Sequence, residues 1–199
     1  MTGWSPEVRV LRHPAATFRE LAASPDRGRW MLVRRPLLLL FAMGMLLSLH
    51  SSGRLSVRAV ADGMVSFAFL PACEILAVGV VYWRGDRRLR FARVVDAFFT
   101  SHAPWLLWIV GFCLWRFTES PLQASALSAT AIRITTATLL VPAVWSAYLD
   151  LHFFRVVMPR RAGRAMTDLL LQRAIGWTGA LGYFFGIAAW AQLVAWVRG

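Results

Sequence analysis

Five arginines within ten residues, Arg84, Arg87, Arg88, Arg90 and Arg93, separate two apolar runs, and this arrangement limits the fold more than any other stretch. After them the chain passes through Asp96 into a run carrying Trp105, Trp108 and Trp115. A bilayer reads such a sequence as a cytoplasmic loop followed by a spanning helix. Arginine in a short loop resists translocation, so the loop stays on the inner side and sets the direction of the neighbouring spans. With 58% hydrophobic residues among 199, and several runs long enough to cross roughly 30 Å of hydrocarbon, the chain reads as an all-α, polytopic membrane protein.

The net charge of +12 would point to nucleic acid in a soluble domain. Here the charges stand between apolar runs, where membrane orientation accounts for them, and the loops are too short to build a nucleic-acid interface. All 22 basic residues are arginine, which points to G+C-rich coding and a bacterial source. Cys73 and Cys113 both fall inside apolar runs and read as small buried residues rather than a disulfide or a metal pair. Residues 1–30 lack an apolar core, and no small-residue cleavage site follows the first one, so a secretory signal is not expected.

Two regions follow: a cytoplasmic N-terminal segment, 1–35, and a five-span domain, 36–199. In the segment, Pro14 suits a first helical turn, and Phe18, Leu21 and Ala22 share one helical face away from Arg19 and Glu20. The reading is a short amphipathic helix on the membrane surface; the same face also fits a helix packed under the bundle. The spans are placed at Pro36 to about Gly53, Met64 to Trp83, Ala97 to Trp115, Ile134 to Phe154 and Ala174 to Val197. Arg155, Arg160, Arg161, Arg164 and Arg173 form a second inner loop. Seventeen of the 22 arginines then lie inside, which sets the N-terminus cytoplasmic and the C-terminus outside. Trp30, Trp83, Trp115, Trp177 and Trp196 sit near span ends, as an aromatic belt requires. Gly182 and Gly186, extended by Gly176 and Gly179, make a small-residue stripe suited to close helix packing, within the chain or in a homo-oligomer.

Ionisable groups inside spans are the candidates for function, since a charge at the bilayer centre costs a few kcal/mol. Glu74 lies near the midplane of the second span, three residues after Pro71, whose missing N–H frees a backbone carbonyl. A neutral carboxyl hydrogen-bonded inside the bundle is the alternative to a working acid. His102 enters the third span beside Thr100, Ser101 and Pro104; side chains lean toward the N-terminus of their own helix, so a relay between His102 and Glu74 is geometrically poor. Asp150 and His152 lie near the inner face, where Arg155 would neutralise Asp150. No H-E-x-x-H, Walker A loop, nucleophile elbow or Cys/His ligand spacing occurs, and neither a cofactor nor an enzymatic activity is expected.

Three segments resemble the Yip1-domain family of five-span membrane proteins: His13-Pro14-Ala15-Ala16-Thr17-Phe18-Arg19-Glu20-Leu21-Ala22; Phe91-Ala92-Arg93-Val94-Val95-Asp96-Ala97-Phe98-Phe99 with His102-Ala103-Pro104; and Trp145-Ser146-Ala147-Tyr148-Leu149-Asp150-Leu151. The resemblance implies a membrane-embedded helical bundle with a cytoplasmic N-terminus. Eukaryotic members bind Rab-type GTPases, but this chain lacks their Asp-Leu-Tyr-Gly-Pro signature, so no such role is carried over.

The expected function is that of a non-enzymatic organiser of the bacterial cytoplasmic membrane. Its arginine loops, Arg84, Arg87, Arg88, Arg90, Arg93, Arg160, Arg161 and Arg164, would meet anionic lipid headgroups or membrane protein partners. The alternative is a small transporter or channel centred on Glu74, with His102, Asp150 and the Thr135, Thr136, Thr138 cluster as further polar candidates and Pro142 as a second helix break. Reporter fusions after Arg90, Ala124, Arg164 and Gly199 should read inside, outside, inside and outside; an inside signal at Gly199 would overturn the five-span count.

Overall fold

A computed structural model describes residues 4–25, 28–85, 88–118 and 129–198, and every regular element among them is helical. In chain order these are α1 (Pro6–Arg12), α2 (Pro14–Ala23), a 3-10 turn (Gly28–Leu32), α3 (Arg34–Ser52), α4 (Val57–Phe67), α5 (Phe69–Trp83), α6 (Phe91–Thr100), α7 (Ala103–Thr118), α8 (Ala129–Thr138), α9 (Leu140–Val156) and α10 (Ala162–Arg198).

Proline punctuates the long helices. A proline cannot donate to the carbonyl four residues back, and its ring crowds that carbonyl. Pro71 accordingly follows the break at Ala68 between α4 and α5, Pro104 the break at Ser101 and His102 between α6 and α7, and Pro142 the break at Leu139 between α8 and α9. The α6–α7 break bends the path by 47°. Gly53, at φ 64°, closes α3 with its N–H on Leu49 O at 2.9 Å. Ser48 then fixes the turn, donating to Arg54 O and accepting from Ser56 N, each at 2.9 Å.

Among the described residues two stretches are long and apolar enough to cross a membrane, Val57–Trp83 and Thr136–Val156; the bent pair Phe91–Thr100 and Ala103–Trp115 makes a third if taken as one span. Only 28% and 33% of the apolar windows of the first two are buried within the chain, so most of their hydrophobic surface faces outward. Leu37, Phe41, Val65, Leu76, Leu114, Val144 and Phe185 are among the exposed side chains. Apolar surface on this scale marks contact with lipid or protein rather than water.

The N-terminal segment packs under the bundle instead of lying free on a surface. Phe18 is fully buried and meets Phe153 edge-on at 6.0 Å, and Phe98 meets the same ring at 5.4 Å. α2, α6 and α9 are thereby joined through one aromatic cluster, each pair contributing about 0.5–1.5 kcal/mol beyond area burial. The same apolar face that would bind a membrane has found a protein surface.

Close helix approach depends on glycines. A Cβ on Gly44 would lie 2.4 Å from Val60 O, and one on Gly63 would lie 2.8 Å from Gly44 Cα, so α3 and α4 touch backbone to backbone. Between α5 and α10 the contact is at Gly176 and Gly179, where an added Cβ would meet the Glu74 carboxyl at 3.4 Å and Cys73 Sγ at 2.9 Å. Gly182 and Gly186 have no heavy atom within 4 Å of an added Cβ, so the close-packing part of the stripe is its N-terminal half. Gly44→Ala should therefore lower stability by about 1–3 kcal/mol through overpacking, while Gly182→Ala should be near neutral. Thermal unfolding in detergent separates the two; equal midpoints would refute the close α3–α4 contact.

Candidate functional site

By sequence Asp96 stands at the entrance to an apolar run, with no partner assigned to it. In the structure it is 1% exposed in α6 and is the centre of a four-residue ion cluster. Arg34 grips it with a two-pronged fork: Nε donates to Oδ1, and Nη2 donates to Oδ2 at 2.6 Å. Arg35 Nη1 also donates to Oδ2, and to Asp96 O at 3.0 Å. Arg35 Nε reaches Glu7 of α1 at 2.8 Å. Burial works to raise the Glu7 carboxyl, but the Arg35 charge and the hydrogen bonds around it outweigh burial, and Glu7 is held below the ordinary carboxylate range. A lowered carboxyl adds stability at pH above its unfolded value and loses it as pH falls through the folded value, so acidification loosens α1 from α3.

A second polar network lies deeper. Asp150 of α9 is fully buried, accepting from Ser101 Oγ and from Arg173 Nη2. Arg173 Nη2 also donates to Ser146 Oγ at 3.1 Å, as does Trp105 Nε1. The expected partner, Arg155, is exposed. The reason is helix length: α10 begins at Ala162, so Arg173 stands about three turns inside it and faces α9, not a loop. Gln172, its neighbour, donates through Nε2 to Glu74 Oε2.

Glu74, His102 and Arg173 line one cavity of about 290 Å³ between α3, α5, α7 and α10. Two of the three intramembrane candidates thus share a cavity, and the third, Asp150, is tied to it through Arg173. His102 Nδ1 has no hydrogen-bond partner, so no bond through that atom links it to Glu74. Thr138 stands apart, accepting from Trp108 Nε1 at 3.0 Å and donating to Ile134 O at 2.8 Å. The side chain of Thr135 lies outside the described residues. Among the described residues no group of three or more His, Cys, Asp or Glu is gathered as a metal would need.

The arginine loops divide between structure and surface. Arg93 Nη1 donates to Ala22 O at 3.1 Å, tying α6 to α2. Arg160, 10% exposed, sits with Nε 3.1 Å from Asp168 Oδ2 as an ion pair without hydrogen-bond alignment. Arg84, Arg88, Arg90, Arg161 and Arg164 are exposed; Arg87 lies outside the described residues. The two loops meet: Arg164 Nη2 donates to Arg84 O at 3.2 Å, and the Arg160 guanidinium occupies the space a Cβ on Gly85 would fill.

Sequence reasoning missed Asp96, Glu7, Gln172 and the inward role of Arg173. One signal was present for Asp96: an acid at the head of an apolar run needs a cation, and Arg34 and Arg35 head another. Compared with models of known families, with curated proteins and with solved structures, the chain matches none.

Asp96→Asn would leave two arginines at the mouth of the bundle with Glu7 alone. A loss of about 3–5 kcal/mol is expected, the cost of breaking a buried pair on one side. Replacing Arg34, Arg35 and Asp96 together by apolar residues should recover much of it. Unfolding midpoints in detergent check both; an unchanged midpoint for Asp96→Asn would show that the cluster does not hold the fold.

Proposed function

We propose that this is a five-span, Yip1-like membrane protein of the bacterial cytoplasmic membrane, N-terminus inside and C-terminus outside, that acts without catalysis by holding anionic lipid headgroups or a membrane protein partner against its arginine end. The three stretches above supply three spans. The 19-residue α3 and the 37-residue α10 supply the others; at 1.5 Å per residue α3 reaches about 28 Å.

The observation that carries this reading is the junction of the two arginine loops. Arg84, Arg88, Arg90, Arg161 and Arg164 come from clusters far apart in sequence, Arg84 and Arg164 being separated by 80 residues, and the contacts of Arg84 with Arg164 and of Gly85 with Arg160 merge them into one exposed surface. Each arginine near an anionic leaflet contributes about 1 kcal/mol, screened beyond roughly 10 Å. A groove of about 720 Å³ lies beside α1, α2 and α3. Its arginines already hold carboxylates: Arg9 with Glu20 at 2.5 Å, Arg35 with Glu7, and Arg34 with Asp96.

The cavity at Glu74 favours a second reading, a small transporter with Glu74 at the centre of its path. Paired breaks at Pro71 and Pro142 flank it in sequence, and discontinuous helices are how transporters expose backbone to a substrate. Glu74→Gln should then abolish pH-dependent flux in proteoliposomes.

Crosslinking and pull-down from native membranes test the first reading. Wild-type protein should enrich anionic lipid or a discrete partner, and replacing Arg84, Arg88 and Arg161 together by Gln should reduce that enrichment about tenfold or more, given roughly 1 kcal/mol per arginine. Recovery of neither lipid nor partner would count against it.

A further inference from the structure

The cavity between α3, α5, α7 and α10 has a charge balance that specifies its occupant. Arg173 and Asp150 cancel, joined directly and supported by Ser101 and Ser146. Glu74 is left over. Its hydrogen bond comes from Gln172, a neutral amide, so an ionised Glu74 leaves the cavity one negative charge in excess. α3 offers only apolar wall here, Leu39 and Met43. His102, 6% exposed and stacked on Phe99 at 5.0 Å, brings an imidazole whose Nδ1 is buried and unpartnered. Unpaired buried polar atoms are costly and call for a ligand or water. Two indoles complete the enclosure: Trp105 in the wall and Trp177, 60% exposed, at the rim, so the cavity opens on the outer surface of the bundle.

We propose that this cavity binds a small lipophilic organic cation, an ammonium carrying apolar or aromatic substituents, with Glu74 as its counter-ion and Trp105 and Trp177 against its substituents. The proposal rests on the reading of Glu74 as a ligand site, and it does not require transport. An anion is disfavoured by charge, because Arg173 is paired with Asp150; the unpartnered Arg173 Nε can donate to a neutral acceptor such as water. The volume of about 290 Å³ is at the small end of ligand pockets, roughly 300–1,000 Å³. One ring and one ammonium fit; a phospholipid does not. Indole faces attract a desolvated cation by about 2 kcal/mol, more than other aromatic rings. Apolar substituents and a rim facing outward suit a ligand that arrives from the hydrocarbon.

Binding and protonation compete at one carboxyl. When a cation enters a site whose Glu74 is protonated, the O–H bond breaks heterolytically, the proton leaves to water, and the carboxylate pairs with the ammonium. The groups facing Glu74 are Gln172 and Arg173 of α10 and His102 at the head of α7, with Asp150 of α9 behind Arg173. Affinity should fall as pH falls.

The test uses the full chain in nanodiscs, with benzyltrimethylammonium as probe and both tryptophan quenching and equilibrium dialysis as readouts. Saturable binding is expected, weakening at least about tenfold with Glu74→Gln, and about thirtyfold with Trp105→Leu, the equivalent of the indole contribution. Neopentylbenzene, the neutral isostere, should bind at least about tenfold more weakly than the cation to wild-type protein, a comparison that needs no variant to fold. Absence of saturable binding, equal affinity for the isostere, or preference for benzenesulfonate would overturn the proposal. Binding without flux in proteoliposomes would remove the transporter reading and leave the site. Flux of protons without probe binding would remove the ligand class alone.

Discussion

A carboxylate buried at the mouth of a helical bundle must be met by cations or be protonated, and Asp96 is met by two. Its bonds with Arg34 and Arg35 decide more than local charge. Arg34 and Arg35 head α3 and Asp96 sits in α6, so the cluster sets how α3 and the bent α6–α7 pair start side by side. Through Glu7 it also reaches α1, and the aromatic cluster of Phe18, Phe98 and Phe153 continues the same junction on its apolar side. Charge-assisted, two-pronged bonds of this kind give orientation as well as energy. The apolar contacts would tolerate sliding. The ion cluster does not, because each displaced arginine would leave an uncompensated charge.

From that anchored end the helices run outward with little polar content until the network of Asp150, Arg173, Gln172 and Glu74. The two networks differ in what they leave open. Around Asp96 both carboxylate oxygens are held by the guanidinium groups of Arg34 and Arg35, and the site is structural. Around Glu74 the hydrogen bonding is incomplete, with His102 Nδ1, Gln172 Oε1 and Arg173 Nε unpartnered beside space enough for a small molecule. Gly176 faces the same carboxyl, and a Cβ there would come into ordinary contact with it at 3.4 Å.

The arginines, similar in sequence, serve three purposes by location. Arg34, Arg35 and Arg173 hold buried carboxylates; Arg93, Arg160 and Arg164 bind one connection to another; and a third set, including Arg84 and Arg161, is exposed. Orientation in a bilayer depends on where arginines lie along the chain, whichever of these purposes they serve, so one residue type meets both demands.

Much of the architecture was legible in the amino-acid sequence because it depends on local chemistry. Apolar runs and arginine loops imply helices in a bilayer, and Pro71, Pro104 and Pro142 lie just after the three breaks because a missing N–H acts within one turn. Glu74, His102 and Asp150 stood out because acids and imidazoles inside apolar runs are conspicuous. What the residues could not tell by themselves was pairing. Arg155 was nearer Asp150 in sequence, but Arg173 is nearer in space, since α10 starts twelve residues earlier than hydropathy alone suggests and carries Arg173 inward. Gly44 and Gly63 gave no sign of meeting, and the two arginine loops none of touching, because helix contacts depend on rotation about each axis. Helix lean sets Glu74 and His102 apart along the bundle, yet both line one cavity across it. Those are decisions of tertiary packing: they depend on which faces meet, and a linear pattern records faces without recording partners.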